Sequence, residues 1–192
     1  MTNQEKLDLV AEKVSQCKLC PVLVENRTQT VFGDGNPEAD IVLIGEAAGK
    51  NEDEQGIPFV GRAGDLLNNI LMACKLEREK DVYICNIVKC RPPSNRNPLD
   101  WEAKNCRPFL DLQLKVIAPK VIVCMGAVAS NNLLGNTDPI GMLRGRWHEY
   151  RSIPVVCTYH PAYLLRSPAK KKDAWEDWEM LMTQLQSCSE RK

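Results

Sequence analysis

Four short runs of apolar, β-favouring residues recur along the chain, with amphipathic stretches between them. Ile41–Ile44, Val82–Val88, Val121–Met125 and Pro154–Tyr159 are almost continuously hydrophobic, the pattern of strands buried on both faces of a parallel sheet. Between the first two, Leu66, Leu67, Ile70, Leu71 and Cys74 fall at helical spacing. Between the second and third, Pro98–Ile117 carries Trp101, Phe109, Leu110, Leu114 and Ile117 on one face. Asn97 is placed to cap that helix, with Pro98 at its first position. Pro108 predicts a kink or a split, and irregular chain around Cys106. Between the third and fourth runs, a short helix is expected over Ala127–Leu134 and a hairpin at Gly141–Gly145. Residues 169–187 close the chain as an amphipathic helix through Trp175, Trp178, Leu181, Met182 and Leu185, an aromatic stripe read as core packing. Ahead of the first strand, Leu7, Val10, Ala11 and Val14 mark a helix over residues 4–16, and Thr28–Phe32 a short strand closed by Gly33-Asp34-Gly35. The expected fold is α/β: a three-layer α/β/α domain with a central, mainly parallel four-stranded sheet. It is one domain over residues 1–192, with residues 1–35 packed against it.

The four strands end at Gly45-Glu46, Lys89-Cys90-Arg91, Gly126 and His160-Pro161. In a parallel sheet these ends share one edge, where open α/β folds bind their ligands. Glu46, Asn86 and His160, distant in sequence, are therefore expected at one crevice. The stretch Ile41–Leu67 supplies its longest loop: a buried strand, Gly45, an acid-rich segment, then Pro58-Phe59-Val60-Gly61. This loop is read as the holder of a nucleobase.

Composition narrows the classes. The 192 residues are 44% hydrophobic and 26% charged, which suits one soluble globular domain. No apolar run approaches the ~20 residues of a membrane span, and Met1-Thr2-Asn3-Gln4-Glu5 is no signal peptide. A cytoplasmic monomer without a membrane partner is the expectation. The formal net charge is zero, yet it is unevenly spread: Asp34–Gly56 holds seven acids and one base, Gly141–Lys172 seven bases and one acid. A basic segment of that kind can follow phosphates even in a neutral protein.

Nine cysteines are many for a reducing compartment, and an odd number argues for metal and buried thiols over disulfides. Cys17 and Cys20 form a compact ligand pair. Cys90 and Cys106, both expected in irregular chain beside prolines, are the second pair. Cys74, Cys85, Cys124 and Cys157 sit within apolar patterns and read as inert core thiols, and Cys188 lies near the end of the chain. Four such thiolates suit either zinc or an iron–sulfur cluster, and either would tie the N-terminal helix to the sheet edge.

Three motifs, GEAAGKNEDEQGIPFVGRAGDLL from Gly45, CNIVKCRPPSNRNP from Cys85 and YHPAYLLRSP from Tyr159, resemble those of the family 4 uracil-DNA glycosylases, the iron–sulfur type of the uracil-DNA glycosylase superfamily. The likeness runs from Cys17 to about Pro168. It implies a 4Fe–4S cluster on Cys17, Cys20, Cys90 and Cys106. It further implies that Gly45, Glu46 and Ala47 line a uracil pocket, that Phe59 stacks on the flipped base, that Asn86 reads its edge and that His160 sits at uracil O2. Leu164 looks like the residue that fills the gap left in the DNA, with Arg166, Lys170 and Lys171 nearby for the phosphates of single- or double-stranded uracil-containing DNA. Many superfamily members carry an aspartate just after the position of Glu46. Here it is Ala47, so Glu46 and Glu52 are the candidate catalytic carboxylates, with Asp53 a third.

The residue types fit that chemistry. A base must leave the duplex to be cut. An Asn amide offers a donor and an acceptor, matching uracil O4 and N3–H, whereas cytosine presents the reverse. A histidine donor at O2 strengthens as negative charge develops there. Three other classes were weighed. GEAAGK has three residues between its glycines where a phosphate loop needs four, and Asn51 where Ser or Thr is needed. An iron–sulfur redox protein would explain the cysteines but not Phe59, Asn86 and His160. A DNA-damage binder without turnover would use the same pocket.

Overall fold

In a computed structural model describing residues 1–189, helices α1 (Asn3–Ser15) and α2 (Pro21–Asn26) precede strands β1 (Asp34–Gly35) and β2 (Ile41–Gly45). Helices α3 (Lys50–Gln55) and α4 (Gly61–Ala73) lead to β3 (Val82–Asn86), and α5 (Asp100–Ile117) to β4 (Val121–Met125). Then come α6 (Ala127–Leu134), α7 (Ile140–Leu143), β5 (Trp147–Tyr150), β6 (Ile153–Thr158), α8 (Pro161–Arg166) and α9 (Lys171–Ser189).

The sheet has six strands, in the order β1-β3-β2-β4-β6-β5, rather than four. The four expected strands form its parallel centre, and β1 and β5 add antiparallel edges. Both edges escape a hydrophobicity reading: β1 is two residues long, and β5 is only partly buried. The strand expected at Thr28–Phe32 does not form, although Val31 N–H donates to the Lys89 carbonyl at 2.7 Å. The hairpin expected at Gly141–Gly145 forms later in the chain, between β5 and β6, turning at Arg151 and Ser152 in left-handed backbone. Pairing between β2 and β3 continues past the strand ends, with Ile87 and Val88 N–H donating to the carbonyls of Gly45 and Glu46.

Alternate residues of the central strands face opposite layers. Val42, Ile44, Cys85, Ile122, Cys124 and Cys157 pack with Leu7, Leu23, Leu110, Leu114 and Leu133 of α1, α2, α5 and α6. Ile41, Leu43, Ile84, Val121, Val123 and Met125 pack with Leu67, Leu71, Trp178 and Leu181 of α4 and α9. Each such side chain contributes about 1.5–3 kcal/mol by leaving water, and the two sets fix a three-layer architecture. Cys74, Cys85, Cys124 and Cys157 are all buried in it. Trp178 belongs to the core, but Trp175 and Trp101 are exposed, so the aromatic stripe is only half internal.

Helix α5 runs unbroken through Pro108. The proline lies on the exposed face, where the carbonyl it leaves without a helical donor can meet water. Cys106 consequently lies on a helix, not in irregular chain. The helix also starts at Asp100, with Leu99 rather than Asn97 as its cap, because Glu102 reaches back to the Leu99 N–H at 2.8 Å.

Candidate active site

The carboxyl ends of the central strands open into one cleft of about 630 Å³ lined by Glu46, Ala47, Glu52, Phe59, Asn86, His160 and Arg166. Gly45 and Asn86 are register partners on adjacent strands. A side chain on Gly45 would strike the Asn86 Oδ1 atom and stand 2.6 Å from the Phe59 ring. Glycine is needed here because two site residues close over its backbone.

Asn86 is 2% exposed, and its Oδ1 has no hydrogen-bond partner among the described residues. A buried acceptor left unmet costs about 1–3 kcal/mol, so a cleft that aims one inward is built for a donor that arrives from outside. His160 faces Phe59, their ring centres 5.3 Å apart and tilted by 31°. Burial, helped by the charge of Arg166, pulls the His160 ring down to about 4, so it is neutral at neutral pH. Its Nδ1 accepts from the Ala162 N–H at 3.1 Å, closing the first turn of α8. The single proton of the neutral ring therefore sits on Nε2. Behind it Gly126, with φ of 96°, leaves room: a Cβ there would stand 3.1 Å from that of His160.

Phe59 is held in strained backbone, with φ of 53°. Arg78 braces it, donating Nη1 to the Phe59 carbonyl at 2.9 Å and Nη2 to the Pro58 carbonyl while its Nε pairs with Asp34 at 3.2 Å. Gly64 completes the seat, since any Cβ there would meet the Phe59 carbonyl oxygen. Nothing in the charged run around Arg78 distinguishes it in the sequence. The acid-rich segment is not the open loop it resembles, because much of it is α3.

The carboxylates separate cleanly. Glu52 spends one oxygen on the Gly49 N–H at 3.1 Å and the other on the Val60 N–H at 3.0 Å. Asp53 is buried and receives the Thr28 N–H at 2.9 Å, which docks residues 28–29 onto α3. Glu46 has no hydrogen-bond partner for its carboxylate among the described residues; it borders the cleft, and burial raises its pKa.

Of the expected DNA contacts, Arg166 borders the cleft, Lys171 is exposed and Lys170 pairs with Asp173 at 2.9 Å. Leu164 is 1% exposed, packed with Tyr159 and Ala174. Tyr163, next to it, borders the cleft; it is 36% exposed and stacked on Tyr159 with ring centres 5.2 Å apart. Pro92, Asn95, Arg96 and Asn97 form a further wall that the sequence reading did not include.

Cys17, Cys20, Cys90 and Cys106 gather around one hollow on the α2–α5 side. Three of their sulfurs receive N–H donors: Cys90 from Arg27 at 3.0 Å, Cys106 from the Lys89 backbone at 3.4 Å and Cys20 from Asn105 at 3.7 Å. Burial pushes the Cys106 thiol up to about 11 and raises Cys20 and Cys90, so these groups become thiolates at neutral pH only if a metal draws off their protons. Donors aimed at sulfur fit anionic ligands of that kind. Among the described residues, no three His, Cys, Asp or Glu side chains converge closely enough to hold a single ion.

The family model for the uracil DNA glycosylase superfamily matches residues 32–180. A type-4 uracil-DNA glycosylase from Thermotoga maritima is 45% identical over 168 residues, covering 86% of each chain. Those of Archaeoglobus fulgidus and Sulfurisphaera tokodaii are 38% and 40% identical, covering 92% of this chain and 92% and 84% of their own. The chain belongs to the type-4 uracil-DNA glycosylases of the uracil-DNA glycosylase superfamily.

Proposed function

We propose that this protein removes uracil from DNA by hydrolysing the bond between the base and its deoxyribose, leaving an abasic site. The unpaired Asn86 Oδ1, buried at the floor of the cleft, carries the reading. It can accept uracil N3–H while the amide nitrogen donates to O4, and cytosine would set acceptor against acceptor. Phe59 offers a stacking face worth ~1–3 kcal/mol, repaying part of the cost of flipping the nucleotide out.

As the bond from C1′ to N1 breaks, its electron pair passes to the base and spreads to O2. The Nε2–H of neutral His160 supports that charge, and one such donor is worth roughly 3 kcal/mol. Water adds to C1′ and gives up a proton. Glu46, free of other partners and raised in pKa, is the carboxylate fitted to receive it and to face the positive sugar. Glu52 acts indirectly, by fastening Gly49 to Val60 beneath Phe59. Arg166 and Lys171 suit the DNA phosphates, and Tyr163 rather than Leu164 suits the gap in the stack.

Cys17, Cys20, Cys90 and Cys106 are proposed to hold a 4Fe–4S cluster. Their N–H donors support this. Such a cluster, when bound, cross-links four points of the chain. No helix among the described residues is long and apolar enough to cross a membrane, and a cytoplasmic protein working on DNA is consistent with that.

The test is a labelled oligonucleotide bearing one uracil, incubated with purified protein and then treated with alkali. Strand cleavage at uracil is expected, and retained binding without cleavage would mark a silent binder instead. Brown colour with iron–sulfur absorption is expected in the same preparation, and colourless protein containing zinc would overturn the cluster assignment.

A further inference from the structure

Between the base-reading strand and the cysteines lies a charge that the chemistry above does not use. Lys89 follows β3, is 0% exposed, and pairs with no carboxylate among the described residues. Its Nζ donates to the Asn86 carbonyl at 2.8 Å and to Gln113 Oε1, and lies 5.9 Å from the centre of the Phe32 ring. Two acceptors and one π face thus meet the three hydrogens of an ammonium group. Gln113 is itself buried and is held by the Phe32 carbonyl at 3.0 Å. The Lys89 backbone N–H, meanwhile, donates to Cys106 Sγ at 3.4 Å. One residue therefore touches both polar sites of the molecule.

Burying a charge without a counter-charge costs several kcal/mol, so Lys89 calls for a source of negative potential nearby. A four-thiolate iron–sulfur site would carry net negative charge, and Cys106, one of the residues that would hold it, accepts the Lys89 backbone N–H and feels the Lys89 charge.

We propose that Lys89 is a positioning residue that offsets the charge of the cysteine site and, through the Asn86 carbonyl, fixes the strand end from which the Asn86 amide reads the base. This rests on the cluster and uracil readings given above. It predicts that the state of the cluster and the reading of the base are linked through one side chain. A lysine buried only to fill space would link nothing.

The experiment uses the full chain with its cluster and the variant Lys89→Met, which keeps the length of the side chain and removes its charge. The reduction potential of the cluster, followed spectroscopically at controlled potential, is expected to move to more negative values, because a nearby cation favours the reduced form. On a uracil oligonucleotide under single-turnover conditions, Lys89→Met is expected to lose about tenfold in rate, the scale of one hydrogen bond. In an Asn86→Ala background it is expected to lose nothing more. An unmoved potential, or losses that add in full, overturns the proposal. If Lys89→Met does not retain its cluster, Gln113→Leu keeps the charge and removes its side-chain acceptor. A smaller loss that disappears in the Asn86→Ala background then supports the proposal, and full additivity overturns it. Failure of the underlying readings shows separately, as wild-type protein that lacks iron or leaves uracil uncut.

Discussion

The cleft and the cysteine site both draw on the segment from Asn86 to Cys106, and they are built in opposite ways. Around the cysteines, polar groups are met from within: Arg27, Asn105 and the Lys89 backbone reach sulfur, and buried Glu102 is gripped by Arg96 through two bonds of 2.8 Å. In the cleft, Asn86 Oδ1 and the Glu46 carboxylate have no partner among the described residues, and Phe59 stands in strained backbone. Unmet and strained groups cost stability, and in the cleft a ligand can repay them. The same contrast recurs within one loop. Glu52 has both oxygens committed to backbone N–H groups, whereas Glu46, six positions earlier, has neither. Two acids that look alike in sequence divide into one tied to the backbone and one that borders the cleft.

The largest expected effects fall on the unmet groups. Asn86→Ala and His160→Ala should each lower the excision rate by roughly 10²–10³-fold with little change in melting temperature, measured by single-turnover cleavage and calorimetry. The two glutamates sharpen the contrast further. Glu46→Gln should cost roughly 10²-fold in rate and leave stability near wild type. Glu52→Gln should do the reverse, losing about 1–2 kcal/mol of stability for a weakened cap and loop tie. Equal effects of the two changes on rate would break the division.

Arg78→Ala tests the brace under Phe59. Loss of the two carbonyl contacts should destabilise by about 1–3 kcal/mol and weaken binding of uracil-containing DNA more than it slows the chemical step. A separate comparison concerns pH. His160 binds its proton more weakly when folded, near 4, than in the unfolded chain. The unfolded state then holds more protons between roughly pH 6.5 and pH 4, so stability falls as pH drops through that window. His160→Gln should flatten that part of the stability profile in denaturant titrations.

Much of this was legible in the chain because burial on both faces leaves a plain mark. The four apolar runs gave the parallel centre of the sheet, and their ends brought Glu46, Asn86 and His160 to one cleft. The antiparallel edges left no such mark, since Asp34–Gly35 and Trp147–Tyr150 have no buried face of their own. Pro108 misled because its effect depends on which side of the helix it occupies, a fact of packing. The separation of Glu46 from Glu52 depends on which amides each can reach, and the brace on Phe59 comes from an arginine 19 positions away. The burial of Leu164 follows from Tyr159 and Ala174 closing over it, which local sequence does not disclose.

Free uracil bound in a crystal of the wild-type protein tests the central claim most directly. Asn86 Oδ1 should lie within hydrogen-bond distance of N3–H and His160 Nε2 at O2, with the base against Phe59. Uracil bound elsewhere, or in this cleft with Asn86 Oδ1 still unpaired, would contradict the account.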